Sequence, residues 1–231
     1  MMPADPSLSS VTDKVAAAIT DAIIEHRLAA GTKLVEQNLA TMFGVSRTIV
    51  RQALIRLERA RLVKLEPAKG ASVAMPSVQE TREIFSIRRF IEVAMIKDFT
   101  RSATKVDIKL MRDHLKVEQQ ACLQSDIRGR SRLLADFHVL IAQLTGTKVL
   151  VEVLGQLISR TTLAIMLYQT SRSAEHSSNE HLELLSAIES KDVELAGQVM
   201  EKHLNNVESN LQLDSSLTDM QLALMPPIAA H

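Results

Sequence analysis

Two sets of side chains in this chain have the types and spacing to do chemistry. The first is cationic: Arg47, Thr48 and Arg51 follow Gly44 and Ser46 in the run FGVSRTIVRQALIRLERARLVKLEPAKG. If a helix begins after Ser46, a good N-cap, then Val50, Ala53, Leu54 and Leu57 share an inner face. Arg47, Thr48 and Arg51 then project from the first turns on the opposite side. Side chains so placed reach base edges in a major groove, where arginine pairs bidentately with guanine. Ser46 and the free amides of that first turn suit a phosphate. Lys69 and Gly70 sit in a turn between two short apolar runs, from where they can follow the backbone or enter the minor groove. Arg56 and Arg59 have two readings, phosphate contact or an ordinary solvated face.

The second set is His138, His181 and His203. Each lies on an apolar helix face: beside Leu134 and Ile141, beside Leu185 and Ile188, and beside Met200 and Val207. One buried histidine is ordinarily a satisfied core residue, so it is the set of three that points to a site. Neutral imidazole ligates Zn, Ni and related divalent ions, and a helix bundle can bring three imidazoles to one point. The same three could instead line a polar pocket that hydrogen-bonds an organic ligand directly. An arginine among them would suit a carboxylate, through a forked pair of hydrogen bonds. Arg88 and Arg89 are available, or else serve the surface or the linker. His114, Glu118 and His176 read as surface residues.

The elements that must position these residues are mostly helices. Val11, Val15, Ile19 and Ile23 recur every four residues and predict a helix from about Ser10 to His26. Leu39, Ala40 and Phe43 make a short second helix that Gly44 closes. LVKL and ASVA read as two short strands around Glu66-Pro67-Ala68-Lys69-Gly70. Pro76 disfavours helix at Met75 and marks a boundary. Ser77 with Glu80 reads as a capping box. Beyond it the apolar periods predict helices near 77–101, 105–123, 126–144, 147–170, 178–190 and 192–212, interrupted most clearly at 171–179. No strand pattern occurs outside the two-stranded wing. Three parts are expected: 1–76, 77–212, and a mobile tail over 213–231.

Composition sets the outer limits. The 231 residues are 46% hydrophobic but only 3% aromatic, with no Trp, which favours packed helices over a sandwich or barrel. Net charge is zero, yet between Gly44 and Gly70 Arg47, Arg51, Arg56, Arg59, Arg61, Lys64 and Lys69 face only Glu58 and Glu66. A local basic face is sufficient to neutralise phosphates. The lone Cys122 fits a reducing cytoplasm. No signal peptide is evident, and no stretch approaches the roughly 20 charge-free apolar residues of a membrane span.

LATMFGVSRTIVRQALIRLERARLVKLEPAKGASV resembles the N-terminal winged helix of GntR-type bacterial transcription regulators. Their typical run is a glycine turn, Val-Ser-Arg-Thr-Pro-Val-Arg-Glu-Ala-Leu, then Arg-Leu-Glu. LAAGTKLVEQNLA resembles their Leu-x-Pro-Gly-x-x-Leu-x-Glu approach, so the likeness covers residues 10–75. It implies that Arg47, Thr48 and Arg51 contact operator DNA, with Lys69 and Gly70 in the wing. Four positions depart: Ile49 stands where Pro is usual, Gln52 where Glu is, Arg61 where Gly is, and Ala30 where Pro is. Over about 78–210, DFHVLIAQLTGTKVL and EHLELLSAIESKDVELAGQVMEKHL resemble the helical ligand-binding domain of the FadR branch, the FCD domain. Many of its members hold a divalent metal with three His and an Asp four residues before the first. Leu134 occupies that Asp position here; Asp136 is near but two residues from His138, on roughly the opposite side of a helix. Thr147 takes the place of the usual Asn. Arg88 matches an arginine often turned toward the effector.

The expected architecture is therefore mainly α: a winged helix-turn-helix of three helices and a two-stranded wing, then an all-α antiparallel bundle. The expected role is a homodimeric, cytoplasmic, ligand-responsive regulator of transcription, more often a repressor, on a palindromic operator in double-stranded DNA. A small organic acid is the expected effector, and Zn, Ni or Mn the expected metal on His138, His181 and His203. Two other readings stay open. One is an architectural DNA binder without an effector. The other is a DNA-tethered metal hydrolase, which Leu134 disfavours by removing the nearest general base.

Overall fold

A computed structural model describes residues 6–124, 127–169 and 174–213. The chain divides into two compact units that part between Met75 and Pro76.

In the first unit the order is α1 (Pro6–Ile24), β1 (Lys33–Leu34), α2 (Glu36–Phe43), α3 (Arg47–Arg59), β2 (Val63–Glu66) and β3 (Gly70–Val73). Val15, Ile19 and Ile23 of α1 are buried, as are Val50, Ala53, Leu54 and Leu57 of α3, and the two helices pack together. Each fully buried Leu or Ile contributes about 1.5–3 kcal/mol, so this apolar seam sets the attitude of α3. Gly44 ends α2 with φ 63° and ψ 34°, a left-handed conformation that favours glycine. Ser46 then caps α3, its hydroxyl accepting from the Ile49 amide at 3.4 Å.

The sheet has three strands, in the order β1-β3-β2, all antiparallel. The sequence predicted two. Lys33 and Leu34 add a third edge by pairing with Ser72 and Ala71, a segment too short to show an alternating pattern. Arg61 has φ 59°. Its amide donates to Glu58 O and that of Leu62 to Leu57 O, both at 2.9 Å, the paired closure that ends a helix in a left-handed residue. Arg61 thus enters the wing in the conformation that a glycine there would take. Ala68, with φ 65°, holds the third position of the turn from Glu66 to Lys69, closed by Lys69 N–H to Glu66 O at 3.1 Å.

The second unit contains α4 (Val78–Ser102), α5 (Lys105–Leu123), α6 (Ile127–Leu144), α7 (Lys148–Tyr168), α8 (Ala174–Glu189) and α9 (Val193–Ser209). Most of the interruption expected at 171–179 is helix, since α8 begins at Ala174; residues 171–173 lie outside the described residues. So does the predicted tail from 214 onward. Ser77 caps α4 by accepting from Glu80 N at 3.1 Å, but the Glu80 carboxylate turns to Arg160, so only half of the predicted box forms. A complete box opens α5 instead, between Thr104 and Asp107.

Helix α4 packs on α9 and α7, α5 on α6 and α8, and α8 on α9. Their common core holds Ile96, Phe99, Met111, Leu115, Phe137, Ile141, Leu154, Ile158, Ile188, Met200 and Leu204. The sequence reading found no stretch approaching a membrane span, but α7 is long and apolar enough to cross a bilayer by length and composition. Its Leu154, Ile158, Leu163 and Ala164 lie in the interior of this unit, which accounts for that apolarity.

Candidate functional site

The first unit presents α3 beside the wing. Arg47, Thr48 and Arg51 are exposed on its first turns while Val50 and Leu54 are fully buried. An open cleft of about 890 Å³ runs between them and the turn, lined by Lys33, Glu36, Arg47, Arg51, Glu66, Lys69 and Gly70 among others. Glu36, at the start of α2, lies 3.5 Å from Arg47 Nη2. Glu66 lies 3.2 Å from Lys64 and 4.0 Å from Lys69, and these ammonium groups, Lys64 first, hold its carboxyl below the usual range. The sequence reading did not place Lys33, Glu36 or Glu66 in this cleft. Nothing in the spacing of Glu36, the first residue of α2, marks it in sequence as a partner of Arg47. Arg56 pairs with Asp13 of α1.

The second unit gathers the three histidines. His138 on α6, His181 on α8 and His203 on α9 are all buried, and one ring nitrogen of each lies within 4.8 Å of the others. Ring centroids are 5.3 Å apart for His138 and His181, 5.2 Å for His138 and His203, and 4.8 Å for His181 and His203. Phe137 stacks on His181 at 3.9 Å and fixes its plane.

Each Nδ1 faces a carboxylate. Glu180 Oε2 is 2.8 Å from His203 Nδ1, and both oxygens of Glu118 are 3.0–3.1 Å from His181 Nδ1. Glu92 Oε2 is 2.6 Å from His138 Nδ1, close but out of line for a full hydrogen bond. Glu118 is therefore not a surface residue: its side chain is fully buried. His114 is largely buried as well, its Nε2 lying 2.9 Å from Leu133 O, whereas His176 is exposed. Asp136 is engaged by Arg132 at 3.2 Å, on the side of α6 away from the centre. The signals for the missed acids were periodic. Glu118 continues Met111 and Leu115 along α5, and Glu92 lies between Phe85, Arg88 and Phe99 on α4.

Arg88 is buried rather than exposed. Its Nε donates to Glu92 Oε1 at 2.6 Å and its Nη1 to Thr161 Oγ1 at 3.4 Å. One carboxylate thus joins Arg88 to His138. Arg89 points elsewhere, to Glu208 of α9.

The electrostatics follow from burial. Burial pushes the Glu92 carboxyl up, but Arg88 and His138 outweigh it and hold it at about 2. Burial lowers His138 to about 3 against the opposing pull of Glu92, and lowers His181 well below its ordinary value. Burial raises Glu118 to about 7. His138 and His181 are thus neutral at pH 7, the form that ligates metal. Among the described residues, the buried His181 Nε2 and Arg88 Nη2 have no hydrogen-bond partner. An orphaned imidazole nitrogen facing two further imidazoles fits a divalent cation. No carboxylate stands at Leu134 to join them.

Comparison with known proteins agrees with both units. Residues 11–73 match the description "Bacterial regulatory proteins, gntR family", and residues 83–206 match the FCD domain. The Uxu operon regulator of Haemophilus influenzae is 30% identical over 201 residues, covering 78% of this chain and 74% of the relative. The Uxu operon transcriptional regulator of Escherichia coli is 28% identical over 228 residues, covering 90% and 89%. Among solved structures, a GntR regulator from Rhodococcus sp. RHA1 superposes with a TM-score of 0.78 at 24% identity, covering 87% of this chain and 96% of its own. Escherichia coli McbR gives 0.77 at 23% identity, covering 92% and 98%. These two show the shared fold. The matched relatives are transcription regulators, not enzymes, and the chain belongs to the GntR family of bacterial regulatory proteins, in the branch that carries an FCD domain.

Proposed function

We propose that this chain is a ligand-responsive repressor that binds a palindromic operator as a homodimer in the cytoplasm. Residues 1–76 form the DNA-binding domain and 77–212 the effector-binding and dimerisation domain. The observation that carries the DNA reading is the two-faced α3, with Val50 and Leu54 buried and Arg47, Thr48 and Arg51 exposed beside the wing. Arg47 and Arg51 read base edges in the major groove, with Thr48 beside them. Ser46 and the first-turn amides hold a phosphate, and Lys69 and Gly70 follow the adjacent backbone.

In the helical domain His138, His181 and His203 hold one divalent ion, Zn, Ni or Mn. When bound, the ion supplies open coordination positions for an effector oxygen. Arg88 offers its unpartnered Nη2 to the carboxylate of a small organic acid. Because Glu92 touches both Arg88 and His138, engagement of the arginine is felt at the imidazole. Release from DNA requires the effector to favour one arrangement of the protein. A shift from 1:99 to 99:1 needs about 10⁴-fold different affinity for the two states.

The test begins with duplexes selected for binding to the full chain. Arg47→Ala and Arg51→Ala should each weaken the selected site by about 5- to 150-fold, as loss of a bidentate base contact does, and relax its sequence preference. Wild-type affinity and preference in both variants would overturn the reading.

A further inference from the structure

Each histidine of the centre is backed by an acid from a different helix. Glu92 of α4 reaches His138 of α6, Glu118 of α5 reaches His181 of α8, and Glu180 of α8 reaches His203 of α9, at 2.6, 3.0 and 2.8 Å from Nδ1. All three acids are buried. None of these contacts is local in sequence, so packing of three helix pairs is needed to assemble them.

We propose that Glu92, Glu118 and Glu180 are positioning residues that fix all three imidazoles in the Nδ1–H tautomer and present their Nε2 lone pairs to a common centre. A neutral imidazole carries one ring proton, and the nitrogen that donates it is set by its partner. A nitrogen lone pair and a carboxylate oxygen repel at 2.6–3.0 Å unless a proton lies between them. At His181 the nitrogen stands 3.1 and 3.0 Å from the two oxygens of Glu118. That near-symmetry is what one N–H shared by both oxygens produces. An acid O–H donating to nitrogen would favour one oxygen. His181 Nε2 has no partner among the described residues, as a lone pair held open for a ligand would have none. At His138 the 2.6 Å contact with Glu92 Oε2 is out of line for a full hydrogen bond, and there it is the nearness of the carboxylate charge that favours a proton on Nδ1.

The same acids set the charge of the centre. Glu92 and the Arg88 guanidinium cancel, so Glu180 supplies one negative charge and Glu118 a second once it is ionised, the number a divalent cation neutralises. This offsets the absence of an acidic ligand at Leu134. The metal part of the inference rests on the site proposed above; the tautomer part does not.

The test uses the full chain with ¹⁵N-labelled histidine, without metal, and long-range ¹H–¹⁵N correlation. The expected result is Nδ1 protonated and Nε2 unprotonated in His138, His181 and His203. Glu118→Leu removes the acceptor and should let His181 alone relax to mixed tautomers. Glu118→Gln, which keeps an acceptor oxygen, should retain Nδ1–H. Titrated with Zn²⁺, Glu118→Leu should bind about 10- to 100-fold more weakly than wild type, the usual effect of removing such an outer carboxylate. A wild-type His181 protonated at Nε2 would overturn the proposal, and that spectrum needs no variant to fold. Unchanged Nδ1–H in a folded Glu118→Leu would overturn it too. Three Nδ1–H imidazoles in a chain that binds no Zn²⁺ would support the tautomer assignment and overturn the metal site instead.

Discussion

Replacing Glu92 by Gln removes one charge from a pair that has almost no access to water. The side chains of Arg88 and Glu92 are 4% and 0% exposed, with Nε and Oε1 2.6 Å apart. At an effective dielectric of about 20, unit charges about 4 Å between centres attract by about 4 kcal/mol. Removing one partner of a buried pair costs about 3–5 kcal/mol, because the other charge stays buried without compensation. Glu92→Gln should therefore destabilise the helical unit by about 3 kcal/mol or more, the amide oxygen retaining part of the hydrogen bond. Tyr168 provides the assay. It is the single tyrosine in a chain without Trp, is buried in this unit, and donates its hydroxyl to Pro76 O at 2.7 Å. Its fluorescence in a urea titration follows this unit without a signal from the winged helix. Arg88→Met with Glu92→Gln should cost clearly less than the sum of the two single changes, since no guanidinium is then left uncompensated. A Glu92→Gln midpoint within about 0.5 kcal/mol of wild type, the range of ordinary surface changes, would refute the buried charge pair.

Two further outcomes follow from backbone and protonation. Arg61 adopts φ 59° with its side chain exposed, so Arg61→Gly should stabilise the winged helix by about 1 kcal/mol, the strain of a left-handed L-residue less the added freedom of the unfolded glycine. For a unit of this size that raises its melting point by about 4–8 °C, read as the far-UV dichroism transition that leaves Tyr168 unchanged; a lower melting point would show that Arg61 makes contacts worth more than its strain. For the metal-free protein, His138 falls from its ordinary 6.5 to about 3 on folding and Glu92 from 4.5 to about 2. Both are depressed, so their contributions are complete above pH 6.5 and 4.5 respectively and are lost as pH falls toward 3 and 2. Glu118, raised to about 7, acts in the opposite sense between pH 4.5 and 7. His181 is also lowered well below its ordinary value, so two histidines outweigh Glu118. Stability of the helical unit should therefore decline below pH 6.5 and fall more steeply below 4.5, as urea midpoints at stepped pH would show; midpoints that rise on acidification would contradict these assignments.

Much of this was legible because apolar spacing is a strong signal. Val50, Leu54 and Leu57 fix the rotation of α3, and with it the face that carries Arg47 and Arg51. The six helices after Pro76 follow from periods that the core then uses, from Ile84 and Met95 on α4 to Met200 on α9. What escaped notice was polar or short. Glu118 looks like one more charge in LKVEQQ until Met111 and Leu115 place it on the inner face of α5. Arg88 alone fits either effector contact or a surface position and Glu92 alone carries no signal, and only the packed helices show that each makes burial of the other tolerable. Strand β1 has two residues, too few for any period, and forms because β3 offers it an open edge. Arg61 broke the glycine pattern in sequence without changing the turn, since three flanking hydrogen-bonded residues hold the left-handed conformation in place.

The most direct measurement is elemental analysis of the purified full chain, beside His181→Ala with His203→Ala. The account predicts about one divalent ion per chain in the wild type and none in the double variant. No bound ion after Zn²⁺, Ni²⁺ and Mn²⁺ are each resupplied would contradict it, and would reduce the histidine centre to a metal-free pocket around Arg88.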